Sequence, residues 1–108
     1  MTDRIVRNGQ VAVLVSPGFG AGWSTWNREH ADRLVFDPKV VKWVEEGKVG
    51  DVPLDDYKDE DGDVTIYVGE AASQLVVEWV PLGEEFIIDE YDGNESLKLK
   101  RDIPFHRA

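Results

Sequence analysis

The segment at residues 11–27, VAVLVSPGFGAGWSTWN, decides how the rest of the chain is arranged. It begins with five apolar residues, and Ser16-Pro17 ends this run, which is typical of a buried strand. Three glycines follow at alternate positions, and two tryptophans then flank two hydroxyl residues. Because glycine lets main-chain N–H groups approach a ligand closely, this glycine–tryptophan loop is a candidate anion-binding site.

The loop predicts a site for a small anionic, nucleotide-like ligand. The indoles of Trp23 and Trp26 offer flat faces on which a base can stack. The glycine amides, the Ser24 and Thr25 hydroxyls and the Arg28 guanidinium offer donors to phosphate oxygens. We therefore expect the ligand-binding residues to be Ser16, Gly18, Phe19, Gly20, Gly22, Trp23, Ser24, Thr25, Trp26, Asn27 and Arg28.

The spacing of the glycines leaves a second interpretation open. It is neither the dinucleotide-binding fingerprint nor a Walker loop, since no Gly-Lys-Ser/Thr occurs. The segment is equally consistent with a tight connection whose aromatic side chains pack in the core. Arg28, His30 and Arg33 follow it, and they either complete an anion site or pair at the surface with Glu29 and Asp32.

The first half of the chain predicts a hairpin followed by one or two helices. Asn8-Gly9 lies between apolar runs, so we expect strands at about 4–7 and 10–16 joined by a tight turn. A short helix is expected over 24–31, capped by one of its two hydroxyl residues. A clearer helix should begin at Asp37-Pro38 and end at Gly47.

The second half predicts an antiparallel meander. Strands are expected at 64–68, 75–80, 85–91 and 95–100, with residues 69–73 as a connection. In the last strand the leucines at 97 and 99 should face the core. The tail residues Ile103 and Phe105 should pack on the same core. Residues 1–108 thus read as one α+β domain, with an antiparallel sheet of about five to six strands and one or two helices inserted after the first hairpin.

Composition excludes several classes of function. Twenty-two acidic residues against 12 basic ones give a net charge of −10, which argues against binding nucleic acid or an anionic membrane. The absence of cysteine excludes disulfides and thiolate metal sites, and it fits a cytoplasmic location. The charged N-terminus lacks the apolar core of a signal peptide, and no apolar run approaches the ~20 residues that cross a membrane.

The acidic stretch at 51–63 carries seven carboxylates and suggests a different activity. It could mimic nucleic-acid phosphates and block a basic groove on a partner protein. Asp59, Asp61, Asp63 and Glu70 match positions 1, 3, 5 and 12 of a calcium loop, but Val64 stands where that loop needs glycine. We therefore predict no metal site here, and no cofactor anywhere in the chain.

The inventory of catalytic residues is thin. His30 and His106 are the only histidines, no cysteine is present, and Ser16 is not in a nucleophile elbow. Glu78 and Glu90 form an acid–base pair only if their strands are neighbours; otherwise they belong to the solvent face of the sheet. We expect a binding protein, with a modest hydrolase as the last alternative.

Three segments together resemble a family of small proteins from tailed bacteriophages and prophages: VLVSPGFGAGWSTWN, FDPKVVKWVEEG and VEWVPLGEEFIIDEYDGNESLKL. The resemblance covers most of the chain and is most specific in the glycine–tryptophan loop. It implies an accessory protein that acts in the host cytoplasm against a defence system. Such a protein would sequester a nucleotide signal, or mask a host protein with its charged surface. Because a ligand pocket in so small a chain is often shared between subunits, we also expect a homo-oligomer.

Overall fold

The apolar run that follows Asn8-Gly9 becomes the central strand of the molecule. The computed structural model of the protein describes residues 4–102. Its strands are β1 (Val6–Arg7), β2 (Gln10–Val15), β3 (Val76–Pro81), β4 (Phe86–Tyr91) and β5 (Asn94–Leu99). Its helices are α1 (Ala31–Phe36), α2 (Pro38–Glu45) and α3 (Ala71–Gln74), with 3-10 turns at Arg28–His30, Asp55–Tyr57 and Lys100–Asp102. The predicted α+β class is confirmed.

Strand β2 lies between β1 and β3, and both neighbours run antiparallel to it. Asn8 and Gly9 have φ angles of 52° and 75°, as a two-residue hairpin turn requires, so the predicted first hairpin is confirmed. On the other side, β2 pairs with β3 in a register that sets Val11 opposite Val80. The chain therefore brings residues 61 to 71 positions apart, from Val15↔Val76 to Gln10↔Pro81, into one sheet.

Both faces of β2 are covered, which explains its uninterrupted apolar sequence. Ala12 and Leu14 face a core formed with Trp23, the helices and the residues just before β3. The valines at 11, 13 and 15 face a second core, formed with the end of α1 and with β4 and β5. The molecule is thus layered, with the three-stranded sheet between a helical layer and the β4–β5 hairpin.

Helix α2 begins and ends where the sequence predicts. The Asp37 carboxylate accepts from the backbone N–H groups of Lys39 and Val40, at 2.9 and 3.2 Å, and Pro38 is the first helical residue. Gly47 follows the helix with a φ of 90°. The preceding helical segment begins later than expected, at Arg28, because the Thr25 hydroxyl donates to Glu95 and does not cap it.

The strand predicted at 64–68 is wrong. This segment makes a single bridge, between Lys58 and Val64, and no ladder. The N–H and the hydroxyl of Thr65 both donate to the Tyr57 carbonyl, and the N–H of Tyr67 donates to the Asn27 side chain. High β-propensity is overridden because these backbone groups already have partners in loops.

The predicted meander is also wrong, and residues 69–73, expected as a plain connection, contain the start of α3. Strand β3 pairs with β2, whereas β4 and β5 form a separate two-stranded sheet. The connection at 82–85 carries the chain from one layer to the other, with Gly83 at a φ of 88°. The expected packing of Ile103 and Phe105 lies outside the described residues.

Candidate functional site

The glycine–tryptophan loop folds around a carboxylate of the chain itself. One oxygen of Glu95 accepts from the N–H of Ser16 at 3.0 Å. The other accepts from the N–H groups of Trp23 and Thr25, at 2.8 and 3.1 Å, and from the Thr25 hydroxyl at 2.5 Å. Glu95 is only 1% exposed. Three amides of the loop thus form a cradle, but they belong to Ser16, Trp23 and Thr25 and not to the predicted glycines, and strand β5 supplies its anion.

Sequence reasoning missed Glu95, although one signal for it was present. Alternation along β5 places residues 95, 97 and 99 on one face, and Leu97 and Leu99 pack toward the core as predicted. Glu95 is therefore an acidic residue on the inward face of a strand. A buried carboxylate needs several hydrogen-bond donors, and a glycine loop is one segment able to supply them.

The glycines serve close packing between the loop and the β4–β5 turn. A Cβ atom at Gly93 would lie 2.6 Å from the backbone N of Ala21, and Gly93 also has a φ of 85°. The N–H of Gly20 donates to the carbonyl of Asp92 at 3.1 Å. A Cβ at Gly22 would lie 2.7 Å from the Trp26 indole. These contacts favour the interpretation of the glycines as a tight connection.

The two predicted indoles have opposite environments. Trp23 is fully buried, and its ring N–H donates to the carbonyl of Leu34 at 2.9 Å, so the expected stacking of a ligand on Trp23 is wrong. Trp26 is 39% exposed and stacks on Tyr67 with ring centroids 5.6 Å apart. The remaining loop residues divide in the same way: Ser16, Gly22 and Ser24 are buried, Gly18 is half-buried, and Phe19 and Gly20 are exposed.

Asn27 fixes the exposed aromatic pair. Its side-chain NH₂ donates to the carbonyls of Trp23 and Tyr67, each at 2.8 Å, and its side-chain oxygen accepts from the N–H of Tyr67 at 2.7 Å. Two of these bonds connect the loop to Tyr67, 40 positions away, and the third holds Asn27 to Trp23 within the loop. The indole of Trp26 is therefore presented on a backbone whose position is set by its neighbours.

Two hollows open in this region, one of them beside Trp26, and two residues line both. The Trp26 cleft has a volume of about 360 Å³ and is lined by Thr25, Trp26, Asn27, Arg28, Glu29, His30 and Thr65. The α1–β4 groove has a volume of about 590 Å³ and is lined by Ser24, Thr25, Arg28, Ala31, Asp32, Val35, Phe36, Phe86, Ile88 and Glu90. Thr25 and Arg28 line both.

Two of the predicted cations, Arg28 and Arg33, have different surroundings. Arg33 makes a salt bridge of 3.0 Å with Asp56, as the surface-pairing interpretation expected, although its partner is not Asp32. Lys39 binds the same carboxylate, and its hydrogen bond with the added charge of Arg33 lowers the pKa of Asp56. Arg28 makes no salt bridge with any residue of 4–102.

A buried tyrosine packs against His30, which lines the Trp26 cleft. Tyr57 donates to the second oxygen of Asp37 at 2.6 Å, and its ring meets the edge of His30 at 5.7 Å between centroids. Burial raises the pKa of the Tyr57 hydroxyl, and the hydrogen bond to Asp37 adds to the effect. Asp37 thus caps α2 with one oxygen and holds Tyr57 with the other.

The acidic residues do not form the acid–base pair considered above, but three of them cluster at the surface with oxygens close enough to hold a metal ion. Glu78 on β3 and Glu90 on β4 lie in different sheets, so their pairing across neighbouring strands is wrong. Oxygens of Asp59, Asp61 and Asp63 lie within 4.8 Å of one another at the surface, and one Asp59 oxygen accepts from the N–H groups of the other two. His106 lies outside the described residues.

No helix within residues 4–102 combines the length and the apolar character needed to cross a membrane. Comparison of the chain with protein-family models, with curated proteins and with solved structures found no match.

Proposed function

We propose that this chain is a non-catalytic binding protein for a small, planar, anionic ligand of the nucleotide type. The binding surface is the Trp26 cleft, next to the amide cradle that Glu95 fills. The observation that carries the proposal is the juxtaposition of a part-exposed indole at Trp26 with an Arg28 that has no carboxylate partner within 4–102.

The cleft offers both parts of nucleotide recognition. An indole face favours stacking of a base, and such stacking contributes about 1–3 kcal/mol. The guanidinium of Arg28 offers two parallel donors to a phosphate, and His30 lines the same cleft. The charge of Arg28 acts locally in a protein of net charge −10, so recognition depends on contact geometry more than on long-range attraction.

Calorimetry with a matched pair of variants tests the proposal. The ligands are the four ribonucleoside 5′-monophosphates and a panel of cyclic dinucleotides. Trp26→Ala should weaken the binding of the preferred ligand about tenfold, because a base loses its stacking partner. Phe19→Ala is the control, since Phe19 is an exposed aromatic of the same loop outside the cleft. No heat with any nucleotide, or equal binding by Trp26→Ala, would refute the proposal.

The resemblance to phage proteins supports a role in the host cytoplasm, where capture of a nucleotide signal would silence a defence system. A homo-oligomer would place several clefts on one particle. Phage production in a defended host should depend on the wild-type chain and fall with Trp26→Ala, and light scattering coupled to size exclusion gives the number of subunits. Unchanged phage yield with Trp26→Ala would separate the host role from the binding.

The clustered carboxylates of Asp59, Asp61 and Asp63 favour a second candidate, an acidic inhibitor that occupies a basic groove of a host protein. The earlier acidic residues are poorer mimics, because Asp55 and Asp56 already pair with lysine or arginine side chains. A variant with Glu60→Gln, Asp61→Asn and Asp63→Asn should then lose capture of a host protein, whereas Trp26→Ala should retain it.

A further inference from the structure

We propose that the ligand carries an uncharged apolar group attached through its phosphate, and that this group lies in the α1–β4 groove. The inference rests on the proposed function, because it extends the ligand of the Trp26 cleft into the second hollow. The chemical class is a nucleoside monophosphate esterified with an apolar chain.

Both walls of the groove contribute apolar side chains. Val35 and Phe36 come from α1, and Phe86 and Ile88 come from β4. The two phenylalanine rings meet edge to face with centroids 5.9 Å apart, which closes the floor against the core. Val35 and Phe36 are buried, so an apolar chain in the groove removes hydrocarbon surface from water mainly at the half-buried Phe86 and Ile88.

The arrangement of the two hollows sets the order of the groups in the ligand. Thr25 and Arg28 line both hollows, so a phosphate bound by Arg28 lies where the cleft and the groove meet. With the base on Trp26, the opposite substituent of that phosphate points into the groove. A phosphodiester keeps one negative charge for Arg28 and has such a second substituent.

Charges at the groove exclude a second anion. Asp32 on α1 and Glu90 on β4 line the groove from its two walls. Asp32 makes no salt bridge within the described part of the chain, and Glu90 accepts only a backbone hydrogen bond, from Gly93. Two carboxylates beside an apolar floor repel a diphosphate or a carboxylate that extends past Arg28. The carboxylates therefore disfavour an anionic group in the groove, and the apolar side chains favour a hydrocarbon chain there.

Calorimetry with three ligand series tests the inference: the four ribonucleoside 5′-monophosphates, their hexyl phosphodiesters, and the corresponding 5-carboxypentyl phosphodiesters. The hexyl ester should bind about tenfold more tightly than its monophosphate, despite having less negative charge. The carboxypentyl ester should lose this gain. A monophosphate that binds as tightly as its hexyl ester would overturn the inference and leave the proposed function standing. No binding in any series would overturn both.

A charge variant separates the groove from the general field of the protein. Asp32→Asn should raise the affinity for the carboxypentyl ester several-fold relative to that for the hexyl ester, because one of the repelling carboxylates is gone. Glu46→Gln removes the same charge at the end of α2, away from the groove, and should leave the ratio of the two affinities unchanged. An equal change in both variants would overturn the placement of the chain in the groove.

Discussion

The glycine–tryptophan loop and the 3-10 turn that follows it form two halves made of similar residues that satisfy different partners. In the inner half, residues 16–25, three N–H groups and a hydroxyl donate to Glu95, and the indole of Trp23 is buried. The outer half, residues 26–30, leaves an indole part-exposed and an arginine without a salt bridge to any described residue. The difference teaches that an amide cradle is a site for an external anion only if the fold brings no anion of its own.

The largest effect on stability is expected from removing the carboxylate at the centre of the inner half. Glu95→Ala should lower the free energy of unfolding by about 3–5 kcal/mol, because three buried N–H groups and a hydroxyl lose their acceptor. Urea unfolding followed by circular dichroism measures it. Glu85→Ala removes an exposed carboxylate whose salt-bridge partner within residues 4–102 is Lys100, and it should leave the free energy of unfolding almost unchanged.

Chemical rescue sharpens the same prediction. Formate is a carboxylate small enough to enter the space that the shortened side chain leaves. It should raise the urea midpoint of Glu95→Ala and leave that of the wild type unchanged, since binding to the folded state stabilises it by mass action. Equal shifts in the two proteins would mean that the amides do not recognise an anion.

The two tryptophans give the next comparison. Trp23→Phe should cost about 2–3 kcal/mol, because the ring leaves a void in the core and the carbonyl of Leu34 loses its donor. Trp26→Phe should cost under about 1 kcal/mol, since part of that ring is in water. Similar losses in the two variants, measured by thermal unfolding, would contradict the division of the loop.

Local sequence signals predicted the elements whose partners are near in sequence. The Asn8-Gly9 turn, the cap at Asp37 and the alternation of Leu97 and Leu99 each depend on residues within a few positions. The environment of the loop depends on Glu95, which lies about 70 residues away, and no spacing rule connects them. The apolar run at 64–68 failed for the same reason, because Asn27 and Tyr57 satisfy its backbone groups.

High pH should lower the stability of the protein through Tyr57, the buried ring against which His30 of the outer half packs. Burial and the bond to Asp37 raise the pKa of Tyr57, so the folded state keeps its proton where the unfolded state, with an ordinary value near 10, loses it. Stability is therefore complete below about pH 10 and falls above it, by up to about 1.4 kcal/mol per pH unit. Tyr57→Phe should be less stable than the wild type at pH 8. Between pH 10 and 11.5, its free energy of unfolding in urea should lack the decrease that ionisation of Tyr57 causes in the wild type.

A small loss of stability is expected from changing Asn27, and its effect on binding sharpens the comparison most. Asn27→Ala removes three hydrogen bonds at a half-buried position, which should cost about 1 kcal/mol. The Trp26–Tyr67 pair then loses the connection that fixes it, so the affinity for the preferred nucleotide should fall several-fold although the protein stays folded. Thr65→Val is the control, because it also removes a hydrogen bond of a cleft residue, to the Tyr57 carbonyl, without touching the aromatic pair. If Asn27→Ala binds nucleotide as the wild type does, the outer half does not depend on a preorganised indole, because a mobile ring would then serve equally well.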